Sequence, residues 1–274
     1  MHSLQNTPQY INELNDFNNI IKIISSKIQE QVYLNSEMIK VIIGGTTGCG
    51  KSSLVCCLAH LGLTVQQGKG RKLVLEGLGV RSGCQSVTKD ASIMNDEIES
   101  IIYVDCAGWE DTEGFKREII NAFVMNSLFE NPNQIENKFK MLLVISDPEI
   151  GYGRGQAILS NIQRLEEAFI DREELKRGIG LVITKTQPGY SGLDYIEQLE
   201  DNACPKLLEW CNFFKNHPDK IFLFPIPSKE ELGKEYDFAD HDRLIDFLKT
   251  DLIINPSHKI SLNENAKLQI QKLR

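Results

Sequence analysis

The segment Gly45-Thr46-Thr47-Gly48-Cys49-Gly50-Lys51-Ser52 fits the pattern G-x-x-x-x-G-K-[ST]. It constrains this chain more than any other feature, because it works only between a strand and a helix. Both neighbours are present. Residues 38–43 form a short apolar run that ends in Gly44-Gly45 and reads as a buried strand, and residues 52–60 carry a helical pattern. The residue types have a physical purpose. Glycines let the backbone turn tightly around an anion with its N–H groups inward. The start of the next helix adds a partial positive charge. Lys51 is expected to set its ammonium against β- and γ-phosphates, and the Ser52 hydroxyl to ligate Mg²⁺. The candidate phosphate-binding residues are therefore Gly45, Thr46, Thr47, Gly48, Cys49, Gly50, Lys51, Ser52 and Ser53. Cys49 has two readings: a thiol made oxidation-sensitive by the helix start, or a small residue tolerated at a variable position.

Further strands are expected at 91–94, 98–105, 140–146, 180–184 and 221–224, with helical patterns at 115–129, 156–169 and 195–216. Strands alternating with helices predict an α/β fold, a mixed and mainly parallel sheet with helices on both faces. Only Asn95-Asp96-Glu97 separates 91–94 from 98–105, which suits an antiparallel hairpin. Ahead of this domain, Ile11, Leu14, Phe17, Ile21, Ile24, Ile28 and Val32 recur at helical spacing. That helix either packs on the domain or self-associates. After Pro256 the pattern lapses, and 261–274 reads as a weak terminal helix. The expected organisation is a helix in 1–37, the α/β domain in 38–254 and a helical extension in 255–274.

The 274 residues suffice for a core that needs no disulfide or metal. A net charge of −8 gives no basic footprint, so no nucleic-acid partner is expected. No apolar run is long enough for a membrane span, and the first residues lack a secretion signal. Cysteine is present seven times without a C-x-x-C pair, which argues for free thiols in a reducing, cytoplasmic compartment.

Asp105-Cys106-Ala107-Gly108 closes the strand Ile101-Ile102-Tyr103-Val104 in a D-x-x-G arrangement. A carboxylate at that strand end would support Mg²⁺, and the Gly108 N–H would sense a γ-phosphate. Upstream, Thr88 in Gln85-Ser86-Val87-Thr88-Lys89 is the candidate to offer a hydroxyl to Mg²⁺, with Ser86 as its competitor. Metal ligation thus falls to Ser52, Thr88 and Asp105, and the catalytic candidates are Lys51, Thr88 and Gly108.

In order and type these elements resemble the G domain of translation-factor-related P-loop GTPases, with the septins and the immunity-associated nucleotide-binding proteins the nearest in look. The stretches Asp111-Thr112-Glu113-Gly114, Ile120-Asn121-Ala122 and Arg154-Gly155 are also similar to uncharacterised protist G-domain proteins. The resemblance covers roughly residues 38 to 254. It implies a Ras-like fold, GTP or GDP with Mg²⁺ as cofactors, and a hydrolase used as a conformational switch. It further implies base contacts by Thr184, Lys185 and Ser228, and a homodimer through the nucleotide face or a protein partner held by the terminal helices.

Two positions depart from that pattern. The family reads guanine with an Asp two residues after Lys; here Gln187 stands in its place. An amide still accepts a hydrogen bond but loses the charge-assisted part, so weaker selectivity against ATP is expected. Trp109 follows D-x-x-G where many small GTPases carry a water-positioning Gln, which implies slow turnover or help from another group. Glu110 and Asp111 are nearby acidic candidates, and Arg154 among glycines is a candidate arginine finger. The alternatives to a slow GTPase switch are a weakly active or inactive nucleotide-binding scaffold and an ATP-binding P-loop protein.

Overall fold

Uniformly apolar runs dictate the centre of this molecule. The computed structural model describes residues 22, 23, 26, 28, 35, 37–68, 73–77, 92–106, 128, 138–152, 155–169, 171–201, 203–250 and 252–254. In chain order its elements are β1 (Ile39–Gly45), α1 (Lys51–Leu58), β2 (Thr64–Gln67), β3 (Leu73–Glu76), β4 (Ser92–Asp96), β5 (Ile101–Asp105), β6 (Lys138–Ser146), α2 (Asp147–Tyr152), α3 (Gln156–Ala168), α4 (Arg172–Gly178), β7 (Ile179–Thr186), α5 (Gly192–Glu200), α6 (Pro205–Asn216), β8 (Ile221–Pro225), α7 (His241–Lys249) and β9 (Ile253–Ile254).

Seven strands form one sheet in the order β4-β5-β1-β6-β7-β8, with β9 pairing antiparallel to the start of β6. The β5-β1-β6-β7-β8 pairs are parallel, and β4 runs antiparallel to β5. This is a mixed, mostly parallel α/β sheet. Both faces are covered, which explains why β1, β6 and β7 read as continuous apolar runs. Alternate side chains feed two separate cores. Ile42 joins Ile102, Met141 and Leu181 on one face, under apolar side chains of α3, α4, α5 and α6. Val41 and Ile43 join Tyr103, Leu142 and Val182 on the other, under α1 and α7.

The helices of the first face are tied together at Glu166. Its Oε1 accepts from Trp210 Nε1 at 3.0 Å and faces Arg172 Nε at 2.7 Å, and its Oε2 meets Lys206 Nζ at 2.5 Å. Burial pushes this carboxyl up, but the hydrogen bonds from Lys206 and Trp210 and the Arg172 charge outweigh it and hold it below its ordinary value. At the amino ends of β1 and β6 two lysines are fully buried: Lys140 Nζ lies 3.8 Å from the Phe247 ring centroid, and Lys40 Nζ lies 5.9 Å from that of Phe139.

Several expectations shift. The 195–216 stretch is two helices, α5 and α6, because Pro205 opens the second at its first turn and cannot continue the first. The hairpin turn occupies 97–100 rather than 95–97: Asp96 Oδ1 accepts from the N–H groups of Ile98 and Glu99 and starts the turn there. The small antiparallel pair of β2 and β3 was not legible in the pattern. It depends on distant chain, since Val65 N–H donates to Lys234 O and Tyr236 N–H to Leu63 O. Helix α7, whose apolar side chains Leu244, Ile245, Phe247 and Leu248 are buried, also lacked an expectation. The expected helices at 115–129 and 261–274 lie outside the described residues, save Leu128. So does most of 9–34, of which Ile28 is buried in the first core. Among the described residues no helix is long and apolar enough to cross a membrane. Cys49, Cys56, Cys57, Cys106, Cys204 and Cys211 are free thiols.

Candidate functional site

The sheet order creates a crevice at one place. From β1 the chain turns toward β5, and from β6 it turns toward β7, so the connections leave the adjacent β1 and β6 in opposite directions. In open α/β sheets ligands bind outside the carboxyl ends of the strands at such a point. The Gly45–Ser52 loop lies there, between β1 and α1.

Gly45 has φ of +153°, and a Cβ on it would sit 2.2 Å from the Val144 carbonyl oxygen of β6, so a side chain is excluded. Gly50 caps α1 from the left-handed region, φ +101°. Between them the Lys51 side chain curls back over its own loop: Nζ donates to Gly45 O at 3.0 Å and to Thr46 O at 2.8 Å, and the residue is buried. Ser52 Oγ donates to Asp105 Oδ2 at 2.6 Å. The β1–β5 register sets Asp105 beside Ile43 at the carboxyl end of the sheet, and Asp105 is 1% exposed.

Strand β7 brings the base-reading candidates to the same loop. The Thr184 hydroxyl bonds the Cys49 carbonyl and also lies 3.2 Å from Ile145 O. Lys185 sits at an irregularity in the β7–β8 pairing, with φ of +57°, and this re-aims its side chain. Its Nζ donates to Gly48 O at 2.6 Å. Gln187 is exposed, and its N–H donates to the Tyr195 hydroxyl at 3.0 Å. Ser228, three positions beyond β8, caps a short helical turn: its N–H donates to Glu231 Oε2 at 2.5 Å. It stands at the same end of the sheet, without a bond to the loop.

Glu149 was missed. Its Oε2 accepts from Ser146 N–H and Oγ–H, each at 2.6 Å, and its Oε1 accepts from the Thr46 hydroxyl. The S-x-x-E spacing of Ser146-Asp147-Pro148-Glu149 was a legible helix-start signal. Its reach into a loop 103 residues away was not.

Cys49 is 1% exposed, and burial pushes its thiol up against the opposing pull of Lys51. Burial therefore favours the second reading over the oxidation-sensitive one: Cys49 is a small buried loop residue. Ser86, Thr88, Gly108, Trp109, Glu110, Asp111 and Arg154 lie outside the described residues. The structure thus gathers Lys51, Ser52, Asp105, Thr184 and Lys185 around one loop and leaves Ser228 beyond the end of β8. An ammonium, a hydroxyl–carboxylate pair and a glycine turn at a helix start form an arrangement suited to a phosphate anion with a hard cation beside it.

No known protein family matches the chain by sequence, and no curated protein matches it. Among solved structures it is similar to a mutation variant of SsGBP, with a TM-score of 0.38 and 13% identity over 85% of this chain. The chain spans 63% of the length of that protein. At this level of likeness nothing about function follows.

Proposed function

We propose that this chain binds a guanine nucleotide with Mg²⁺ and hydrolyses GTP slowly, as a conformational switch, in a Ras-like P-loop domain over 38–254. The observation that carries the reading is the Ser52–Asp105 hydrogen bond of 2.6 Å beside a Lys51 held within its own loop. The strand order, with one antiparallel strand at the β4 edge, supports it as well. Residues 45–53 cradle the phosphates and Lys51 neutralises them. Thr184 and Lys185 brace the loop and face the base, with Ser228 at the rim. Gln187 leaves the preference for GTP over ATP weak.

Magnesium fits the donor set. Ser52 and Asp105 offer hard oxygens side by side, the ligand type Mg²⁺ takes beside phosphates. When bound it would neutralise charge on the β- and γ-phosphates. Thr88 and Gly108 complete the proposal as γ-phosphate-responsive positions.

The reading is tested by titrating nucleotide-free protein with GTP and ATP, each with Mg²⁺, beside Lys51→Ala. Binding in the wild type, weakened about 100-fold in the variant, supports the phosphate loop. Preference for GTP supports the guanine reading, and equal or ATP-biased binding replaces it with an ATP-binding protein. Retained GTP without turnover at high protein concentration replaces the switch with a scaffold. No binding to either nucleotide overturns the proposal.

A further inference from the structure

The phosphate loop has an anion fixed against its own edge. We infer that Glu149 sets the length of phosphate chain the loop accepts, opposing the longer and more charged one; this rests on the phosphate-binding reading of the loop.

Glu149 is held in place. Ser146, 4% exposed at the end of β6, gives both its N–H and its hydroxyl to Oε2, and the Thr46 hydroxyl binds Oε1. The carboxylate cannot swing toward solvent without breaking all three bonds. On its other side, Thr46 gives its carbonyl oxygen to Lys51 Nζ at 2.8 Å. Carboxylate and phosphate-binding ammonium therefore flank a single residue, and the Glu149 charge is felt at Cys49 too. Among the described residues, four charged groups are bonded to the loop or to its helix start. Lys51 and Lys185 attract phosphate. Asp105 is engaged by Ser52 and stands where a cation would screen it. Glu149 is the remaining anion, and among the described residues no lysine or arginine forms an ion pair with it. A fixed carboxylate at the edge of a partly desolvated crevice repels an added phosphate more than it repels a chain that stops short of it. The same three bonds make Glu149 a brace for the loop, so charge and positioning must be separated by experiment.

Calorimetric titration of the full chain with inorganic pyrophosphate and tripolyphosphate, each with Mg²⁺, takes the base out of the measurement. GDP and GTP are run in parallel. The isosteric Glu149→Gln is expected to tighten tripolyphosphate binding about tenfold and pyrophosphate less than about threefold. Ser146→Ala keeps the charge and is expected to leave the ratio within about twofold. If Glu149→Gln does not fold by circular dichroism, Glu149→Ala is expected to move the ratio the same way. Equal factors for both ligands, or no change, overturn the inference while the phosphate reading stands. A wild type that binds no ligand, indistinguishable from Lys51→Ala, overturns the phosphate reading and the inference with it. Phosphate ratios that shift as expected without preference for GTP sustain the inference and remove only the guanine reading.

Discussion

Ser52 Oγ donates to Asp105 Oδ2 across 2.6 Å, joining residues 53 positions apart in sequence. Two parallel strands make the contact. Asp105 ends β5, Ile43 lies opposite it in β1, and Ser52 opens α1 just beyond. The pair sets a hydroxyl oxygen and a carboxylate oxygen side by side at the carboxyl end of the sheet.

Asp105→Asn preserves the shape of this pair and removes the charge. The expected result is at least about a tenfold loss in the Mg²⁺-dependent part of triphosphate affinity, with affinity in excess chelator little changed. Titrations with Mg²⁺ and with EDTA measure the two parts. An equal loss under both conditions would mean that Asp105 serves the loop fold rather than the metal.

Gln187→Asp restores a charged acceptor at an exposed position, so it carries little folding risk. The ratio of GTP to ATP affinity is expected to rise at least about tenfold, because the carboxylate accepts from N1–H and N2–H₂ of guanine, where adenine has only the N1 lone pair and C2–H. Competition between the two nucleotides on one fluorescent analogue reads this ratio. A constant ratio would remove Gln187 from the base site.

Gly180 has no room for a side chain. A Cβ there would sit 2.7 Å from Phe247 Cε1 and 3.2 Å from Leu142 Cδ2. Gly180→Ala is expected to cost about 1–3 kcal/mol of stability through overpacking between β7 and α7. Denaturant unfolding followed by circular dichroism checks it, and the folded fraction should still bind nucleotide, since the loop lies at the other end of the sheet.

Lys40 gives a pH signature. It is fully buried, and burial, partly opposed by Glu37 and reinforced by Lys138, lowers its ammonium from 10.5 to about 8. The folded value lies below the unfolded one, so the charged form is disfavoured by folding and Lys40 opposes stability most below pH 8. That opposition fades as pH rises from 8 toward 10.5. Lys40→Met is therefore expected to be more stable than the wild type at pH 7 by about 1–3 kcal/mol, with the difference shrinking above pH 8. Melting temperatures of both proteins across this range read the difference directly. A constant gap would show that packing, not charge, separates them.

The outcome divides along lines of distance. The loop, its flanking strand and helix, and most strands of the central sheet were readable because each is specified by residues within a few positions of one another. The glycines at 45 and 50 and the apolar runs of β6 and β7 needed no distant partner to be recognised. The splitting of 195–216 was local as well, written in Pro205, and the expectation passed over it.

What tertiary structure alone decided is which distant groups meet. Thr184 was singled out as a reader of the base; the fold adds that its hydroxyl bonds the carbonyl of Cys49, 135 residues earlier, and that Lys185 reaches Gly48 in the same way. Cys49 had two readings in the sequence, and burial, which pushes its thiol up, favours the small tolerated loop residue. Glu149 drew no expectation from the sequence, and only the β1–β6 register, which sets Gly45 beside Val144, brings its carboxylate onto Thr46. Local sequence determines backbone conformation and face, because propensity, turn chemistry and periodicity act over one or two turns. The charge environment of a site depends on strand order and register, which are set by the packing of the whole sheet into its two cores.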